Sequence, residues 1–338
     1  MTPKKHIGIK ELARRMGVAK STVSKAMSGH PDINAATRRK IMAAAKLHKY
    51  QPSGIAQALT LKRTQMIGLV MHRPGSGYFI ELAESIVREA RQRGYRVTFD
   101  FSDDNPEMET DILADYRRRK FDGLIIAPSM GDSAAMLAEN CGDLPYVIID
   151  YCLKGSKAPF VGNDFKEIGC LAAKHLLELG HRHIAWLDAP KKITSARARL
   201  AGFSKACRKF KTSARKELIW QGPFEESAGE KAALGLIRNF PEITAFFCAS
   251  GPLAMGVLRA ARRCGKNAPK DISVIGASAL GNISAVSQRA REIGQVALET
   301  LLRRMKSLPV KRRQIIGVEL DIRGTTAPPP AHDFKREA

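Results

Sequence analysis

Ile9-Lys10-Glu11-Leu12-Ala13-Arg14-Arg15-Met16-Gly17-Val18-Ala19-Lys20-Ser21-Thr22-Val23-Ser24-Lys25-Ala26-Met27 decides the fold of this chain. Leu12, Ala13, Met16 and Val18 recur at helical spacing, and Val23, Ala26 and Met27 resume that spacing after Gly17. Glycine takes a positive φ without steric cost, so Gly17 is where the chain can reverse sharply between two helices. The spacing predicts a second helix with Lys20, Ser21, Ser24 and Lys25 outward. Short or cationic groups of this kind reach base edges and phosphates in a major groove. Asn34 is a favoured N-cap for a third helix over 35–49, where Ile41, Ala44, Ala45 and Leu47 alternate with Arg38, Arg39, Lys40 and Lys46. The pattern is that of a helix-turn-helix; its plain alternative is a small helical bundle with a solvated charged face.

Charge separates these alternatives. The 338 residues carry a formal +23, with a pI near 10.0. Residues 1–63 hold 14 Lys and Arg against Glu11 and Asp32, a net of +12, so the other 275 residues carry +11. Half of the excess in less than a fifth of the chain points to a polyanion, and a helix-turn-helix makes that polyanion DNA. Arg117-Arg118-Arg119-Lys120 and Lys311-Arg312-Arg313 could add non-specific contacts. Six scattered Cys without a C-x-x-C read as reduced thiols of a cytoplasmic protein. The pair His181 and His183 has no third ligand nearby, so no metal and no cofactor is expected. No apolar run approaches the roughly 20 residues of a membrane helix, and the basic N-terminus lacks the apolar stretch of a signal peptide.

Residues 52–63 carry Pro52 at a helix start and place Ile55, Ala56 and Leu59 on one face. The segment is under three turns long and contains Gly54, so it is expected to be helical only when a partner supports it. From Gln65 onward short apolar strands alternate with amphipathic helices. The strands are Met66–Met71, Arg96–Asp100, Gly123–Ala127, Tyr146–Asp150, His183–Leu187, Ala245–Ala249 and Ile272–Gly276, and a last helix over Arg291–Met305 precedes one strand over Gln314–Leu320. Repeated strand-helix units mean parallel sheets covered by helices on both faces, and two such halves leave a cleft at the carboxyl ends of their strands.

The run Ile9 to Met27, then Asn34-Ala35-Ala36-Thr37-Arg38, Tyr50-Gln51-Pro52 and Ala56-x-x-Leu59, resembles the headpiece and hinge of the lac repressor (LacI/GalR) family, and the resemblance extends to about Gly324. One departure is Ala19, where the family usually has a Ser that caps the recognition helix. The resemblance implies an α/β protein: an all-α headpiece over 1–51, a hinge over 52–63, a two-lobed periplasmic-binding-protein-like core over 64–325, and a flexible tail over 326–338. It implies that Lys20, Ser21 and Lys25 read bases, and that Thr22, Ser24, Asn34 and Thr37 hold phosphates. Ala56 lies on the hinge's DNA-facing side, and Leu59 wedges into a central base step. The tail has no apolar heptad, so a homodimer and not a tetramer is expected.

The resemblance also populates the cleft. Tyr78 and Phe79 enclose the ligand, Asp150 ends a strand there, Asp164 follows a short crossover strand, Arg199 stands in R-x-x-G-F, and Gln288 lies on the last crossover. Two acids usual in the family are absent, and Ser250 and Ser278 stand close to their places. A guanidinium without them calls for a ligand with negative charge or an unusual hydroxyl pattern, such as a sugar acid or sugar phosphate. Three function classes follow. The first is a ligand-modulated transcriptional regulator, a repressor on a palindromic operator. The second is an enzyme or transport binding protein, which lacks a catalytic constellation or an export signal. Ser278 in Gly276-Ala277-Ser278-Ala279-Leu280 misses the final Gly of a nucleophile elbow. The third is a DNA-binding dimer with a degenerate, non-sensing core.

Overall fold

The computed structural model describes residues 7–28, 30–50, 63–72, 77–129, 134–191, 193–278 and 280–330. Contacts divide the chain into two compact units, Met1–Thr64 and Gln65–Ala338. In the first, helices α1 (Ile9–Met16), α2 (Lys20–Met27) and α3 (Ala35–Leu47) enclose Leu12, Ala13, Val23, Ala26, Ile41 and Ala45. Gly17 sits at φ 61°, and the Val18 amide donates back to the Ala13 carbonyl at 3.1 Å, closing α1 in a left-handed cap. Ala19 starts α2 without a side-chain cap, whereas the Asn34 carboxamide oxygen accepts from the Thr37 amide at 2.8 Å and fixes the start of α3.

The second unit contains two six-stranded sheets. The first lobe runs through β1 (Met66–Met71), α4 (Gly77–Gln92), β2 (Arg96–Phe101), α5 (Pro106–Arg118), β3 (Gly123–Ile126), α6 (Ala134–Cys141), β4 (Tyr146–Ile149) and β5 (Phe160–Gly162). The second runs through α7 (Phe165–Glu178), β6 (Ile184–Asp188), α8 (Thr194–Lys209), β7 (Ile219–Gln221), α9 (Glu226–Asn239), β8 (Ala245–Cys248), α10 (Gly251–Arg263), β9 (Ser273–Gly276) and β10 (Ser284–Ser287). The chain then returns to the first lobe through α11 (Ala290–Met305) and β11 (Arg313–Ile315), and ends in the second with β12 (Glu319–Asp321). The orders are β11-β5-β4-β3-β1-β2 and β12-β10-β9-β8-β6-β7, parallel except for β12 against β10. β3, β4, β8 and β9 are buried at every position, because helices cover both faces of each sheet.

Two sequence expectations are corrected. Gln314–Leu320 is not one strand: β11 pairs with β5 in one sheet and β12 with β10 in the other, with the crossing at 316–318. The chain is apolar on both sides of Gly317, so its pattern does not reveal the change of sheet. The tail does not begin at 326. Ala327 accepts hydrogen bonds from Ser273 Oγ (2.9 Å) and lies 2.8 Å from His181 Nε2, while Thr326 Oγ1 lies 3.0 Å from His175 Nε2. This stitching gives buried His181 its structural role, with Thr244 Oγ1 at 2.9 Å from its Nδ1. Residues 331–338 lie outside the described residues.

Three short crossovers join the lobes, at 163–164, 288–289 and 316–318. They leave the carboxyl ends of β5, β10 and β11, so the carboxyl edges of the two sheets face one another across a cleft. Asn163 binds all three together: its Nδ2 donates to the Gln288 carbonyl at 3.1 Å and to the Ile316 carbonyl at 2.9 Å. Arg289, in a left-handed conformation at φ 51°, adds a bond to Glu319 at 2.8 Å.

The R-x-x-G-F motif has a packing reason. A Cβ on Gly202 would lie 1.9 Å from the Lys166 carbonyl oxygen, and one on Gly169 would lie 1.9 Å from that of Arg199. Helices α7 and α8 therefore touch backbone to backbone. Phe203 then reaches Trp186 (ring centroids 4.6 Å), which stacks on Phe247 (3.8 Å). Gly202→Ala is expected to lower core stability by about 1–3 kcal/mol through overpacking. Urea unfolding with an unchanged midpoint would contradict that close approach.

Candidate DNA-reading helix and effector cleft

Helix α2 presents Lys20, Ser21 and Lys25 as exposed side chains, with Thr22 and Ser24 half-buried beside them. Val23 and Ala26, at 0 % and 1 % exposure, hold the opposite face in the headpiece core. Lys25 Nζ lies 2.8 Å from Asp32 Oδ2, and His30 Nδ1 is 3.3 Å from the same oxygen. Both partners of the Lys25–Asp32 pair are about half exposed, so the pair contributes little and a nucleic-acid acceptor can displace Asp32. Asn34 spends its oxygen on the α3 cap, which leaves its NH2 group to donate outward, and Thr37 is half-buried one turn on. Ala56 and Leu59 lie outside the described residues.

In the first lobe the cleft edge is built around His72, the first polar residue after β1. Its Nδ1 lies 2.8 Å from Asp104 Oδ1 and its Nε2 3.5 Å from Asp150 Oδ2. The ring stacks on Tyr151 (5.8 Å, 5°) and meets Phe79 edge-on (6.0 Å, 74°). Tyr78 is buried against Phe79, and burial, with the Asp150 charge, drives its phenol well above the usual range. Asp150 holds φ 68°, a conformation that tilts it away from the strand direction. Deeper in this lobe, buried Glu109 accepts from both the Ser129 amide and hydroxyl at 2.8 Å, and the Ser129 hydroxyl lies 3.0 Å from that of Ser102.

In the second lobe Arg199 is 5 % exposed and donates from Nε to Asp188 Oδ2 (2.9 Å) and from Nη2 to Asp188 Oδ1 (2.6 Å). The Phe165 ring lies 5.4 Å from its guanidinium carbon. This corrects the expectation of an uncompensated guanidinium awaiting an anion. Asp188, the last residue of β6, supplies a bidentate carboxylate that already satisfies the cation. Three other expected ligand residues also serve the scaffold. Asp164 caps α7 by accepting from Lys166 (2.9 Å), Ser250 caps α10 by accepting from Leu253 (3.3 Å), and Gln288 Nε2 donates to the Ala277 carbonyl at 2.7 Å. Ser278 is buried at 8 % exposure, directly after that carbonyl.

Sequence reading singled out Tyr78, Phe79, Asp150 and Arg199 but not His72, Asp104, Asn163 and Asp188, which the structure places beside or between them. Three of these four share a signal: each is the polar residue that closes an apolar strand run, after Met71, Gly162 and Leu187 respectively. Asp104 carries no such mark and reaches His72 through the turn after β2. Among the described residues no cluster of His, Cys, Asp and Glu could hold a metal, and no helix is long and apolar enough to cross a membrane.

Two outcomes follow from this geometry. Burial alone would lower the His72 pKa, but Asp104 and Asp150 outweigh it and raise it to about 9 from the ordinary value near 6.5. A raised folded-state pKa adds stability that is complete below about 6.5 and lost as pH rises through about 9. Thermal melting of the wild type should fall across that window, and the His72→Gln protein should lack that component; parallel curves would refute the charged cluster. Arg199→Ala strands the buried Asp188 carboxylate and should cost about 3–5 kcal/mol, read by urea unfolding. A loss below about 1 kcal/mol would show the pair to be incidental.

Comparison with known proteins agrees with both halves of the chain. Residues 8–53 match the family described as bacterial regulatory proteins, lacI family, and residues 173–326 match the periplasmic binding protein-like domain. The chain is 30% identical over 341 residues to the HTH-type transcriptional repressor PurR of Proteus mirabilis (strain HI4320), covering 97% of this chain and 99% of that protein. PurR of Klebsiella pneumoniae (strain 342) is 30% identical over 344 residues, with the same coverage. Among solved structures, the lac repressor dimer bound to operator and the anti-inducer ONPF superposes with a TM-score of 0.82 at 24% identity, over 96% of this chain and 100% of that one. The transcriptional regulator CelR in complex with cellobiose gives 0.69 at 21% identity, over 94% and 99%. Those two show the fold; the identity and coverage of the PurR proteins show the family. The chain belongs to the lacI family of bacterial regulatory proteins and is a DNA-binding transcriptional regulator, not an enzyme.

Proposed function

We propose that this regulator is a repressor that binds a roughly palindromic operator as a homodimer, released or strengthened by a small ligand between the lobes. The observation that carries the DNA half is the exposed row Lys20, Ser21 and Lys25 on a helix locked by Val23 and Ala26 after the Gly17 turn. A helix-turn-helix on a two-fold dimer reads two half-sites about one helical turn apart. Lys20, Ser21 and Lys25 take bases; Thr22, Ser24, Asn34 and Thr37 take phosphates. Ala56 and Leu59 serve the hinge. The domain limits stay at 51 and 63, and the protein works in the cytoplasm.

The ligand is a small polar ring with several hydroxyls, a sugar or sugar acid. Phe79 and Tyr151 offer flat faces, His72 and Arg199 offer cationic donors, and Asp150 and Asp188 offer acceptors. The CelR neighbour is described with cellobiose, a ligand of this class. Because Asp188 already neutralises Arg199, a strongly anionic ligand has no unpaired cation there to reward it. Ligand control requires different affinities in the open and closed forms of the cleft. The same closed ion pair favours one second reading, a core that dimerises without sensing.

Selection from random duplexes by the intact protein should recover a palindrome. Lys25→Ala should relax one position in each half-site at a cost of about 1–3 kcal/mol on the selected duplex. Equal losses on selected and random DNA would remove its base-reading role. A thermal-shift series with neutral sugars, sugar acids and sugar phosphates tests the core. A shift by a hydroxylated ring supports sensing, and no shift across the series favours the non-sensing reading.

A further inference from the structure

The core's charge is not spread over its surface. Residues 117–120 hold four cations, and residues 303–313 hold six, with no acid in either run. Those ten stand against a net +11 for the whole of residues 64–338. The first run ends α5 and leads into β3; the second ends α11 and leads into β11. Since β3 and β11 are parallel members of one sheet, both runs lie at its amino-terminal edge. Three strand spacings, about 15 Å, separate them. β1 lies beside β3 and starts at the same edge, so the chain from the headpiece enters the core there, with the Gln65 amide held by Asp122 at 2.9 Å.

A surface that only solubilises mixes both signs of charge. This edge does not. Asp115 engages Arg118 and Arg119, Arg303 donates to the Pro309 carbonyl, Arg312 donates to the Ser156 carbonyl, and Arg304 lies over the Tyr146 ring. Lys306, Lys311 and Arg313 are exposed, and among the described residues no carboxylate pairs with them. The carboxyl ends of α5 and α11 add negative partial charge behind the two runs, which holds cations there without neutralising their outward field.

We propose that this edge is a second DNA-contact surface, which takes backbone phosphates of the duplex flanking the operator. The proposal rests on the regulator reading given above, because the headpiece brings the duplex to it. Headpiece and core belong to one chain, so a duplex bound by the headpiece meets the core edge within one molecule and not by a separate encounter. The contact is to phosphate and is indifferent to sequence. It lets the core strengthen occupancy without altering which operator is chosen.

The test uses the intact protein and a duplex selected by it from a random library, prepared at minimal length and with about one and a half extra helical turns at each end. The wild type should bind the long duplex about tenfold tighter at low salt. Its slope of log K against log salt should be steeper by about 0.9 for each added phosphate contact. The triple variant Lys306→Gln, Lys311→Gln, Arg313→Gln should melt like the wild type, match it on the short duplex, and gain nothing from the long one. A wild type indifferent to length overturns the proposal and redirects the edge to some other acidic partner, while leaving the regulator reading intact. A variant that keeps the full length gain also overturns it. Failure of the wild type to select any sequence is a failure of the regulator reading itself, since the short duplex would then not exist.

Discussion

One carboxamide holds the two lobes in register. Asn163 faces two main-chain carbonyls from two other crossovers, and only an NH2 group can serve both, which settles the orientation of its amide. Its oxygen finds no partner among the described residues, so the junction depends on the two donated bonds. Losing them would leave buried carbonyls unsatisfied, at about 1–3 kcal/mol each. The crossovers are two or three residues long, so this carboxamide ties together all of the chain that passes between the lobes. A junction of this kind is a short, hydrogen-bonded hinge.

The cleft edges carry ion-paired groups, buried in the second lobe and partly exposed in the first. Asp188 closes on Arg199, and Asp104 and Asp150 flank His72. A buried pair of this sort is weak evidence for stability, since desolvation offsets much of the attraction. Its value here is geometric: each group fixes the direction of the donors and acceptors at the strand ends. The same compensation removes the argument for an anionic effector that the absence of the usual family acids had raised.

Charge on the outside obeys a different logic. Residues 1–63 have two acids against fourteen cations, and one of those acids, Asp32, sits against Lys25. Such an exposed pair contributes little to stability. The basic edge of the first lobe is the counterpart in the core, placed where α5 and α11 end and where the chain from the headpiece arrives.

By itself the sequence determined the helix-turn-helix, the Asn34 cap, the two-lobed α/β class and most helix and strand positions. Those features are local: apolar periodicity, a glycine at a turn and a capping side chain act within a few residues of themselves. The resemblance also singled out Tyr78, Phe79, Asp150 and Arg199 as expected cleft residues. Only the tertiary structure decided what those residues touch. Asp188 and Arg199 are eleven positions apart, His72 and Asp150 are seventy-eight apart, and Asn163 meets Ile316 across 153. Nothing in a one-dimensional pattern records that a carboxylate will neutralise a distant guanidinium, or that a strand pattern will divide between two sheets at Gly317. Those outcomes depend on which strand edges the crossovers bring face to face, and that is set by the packing of the whole core.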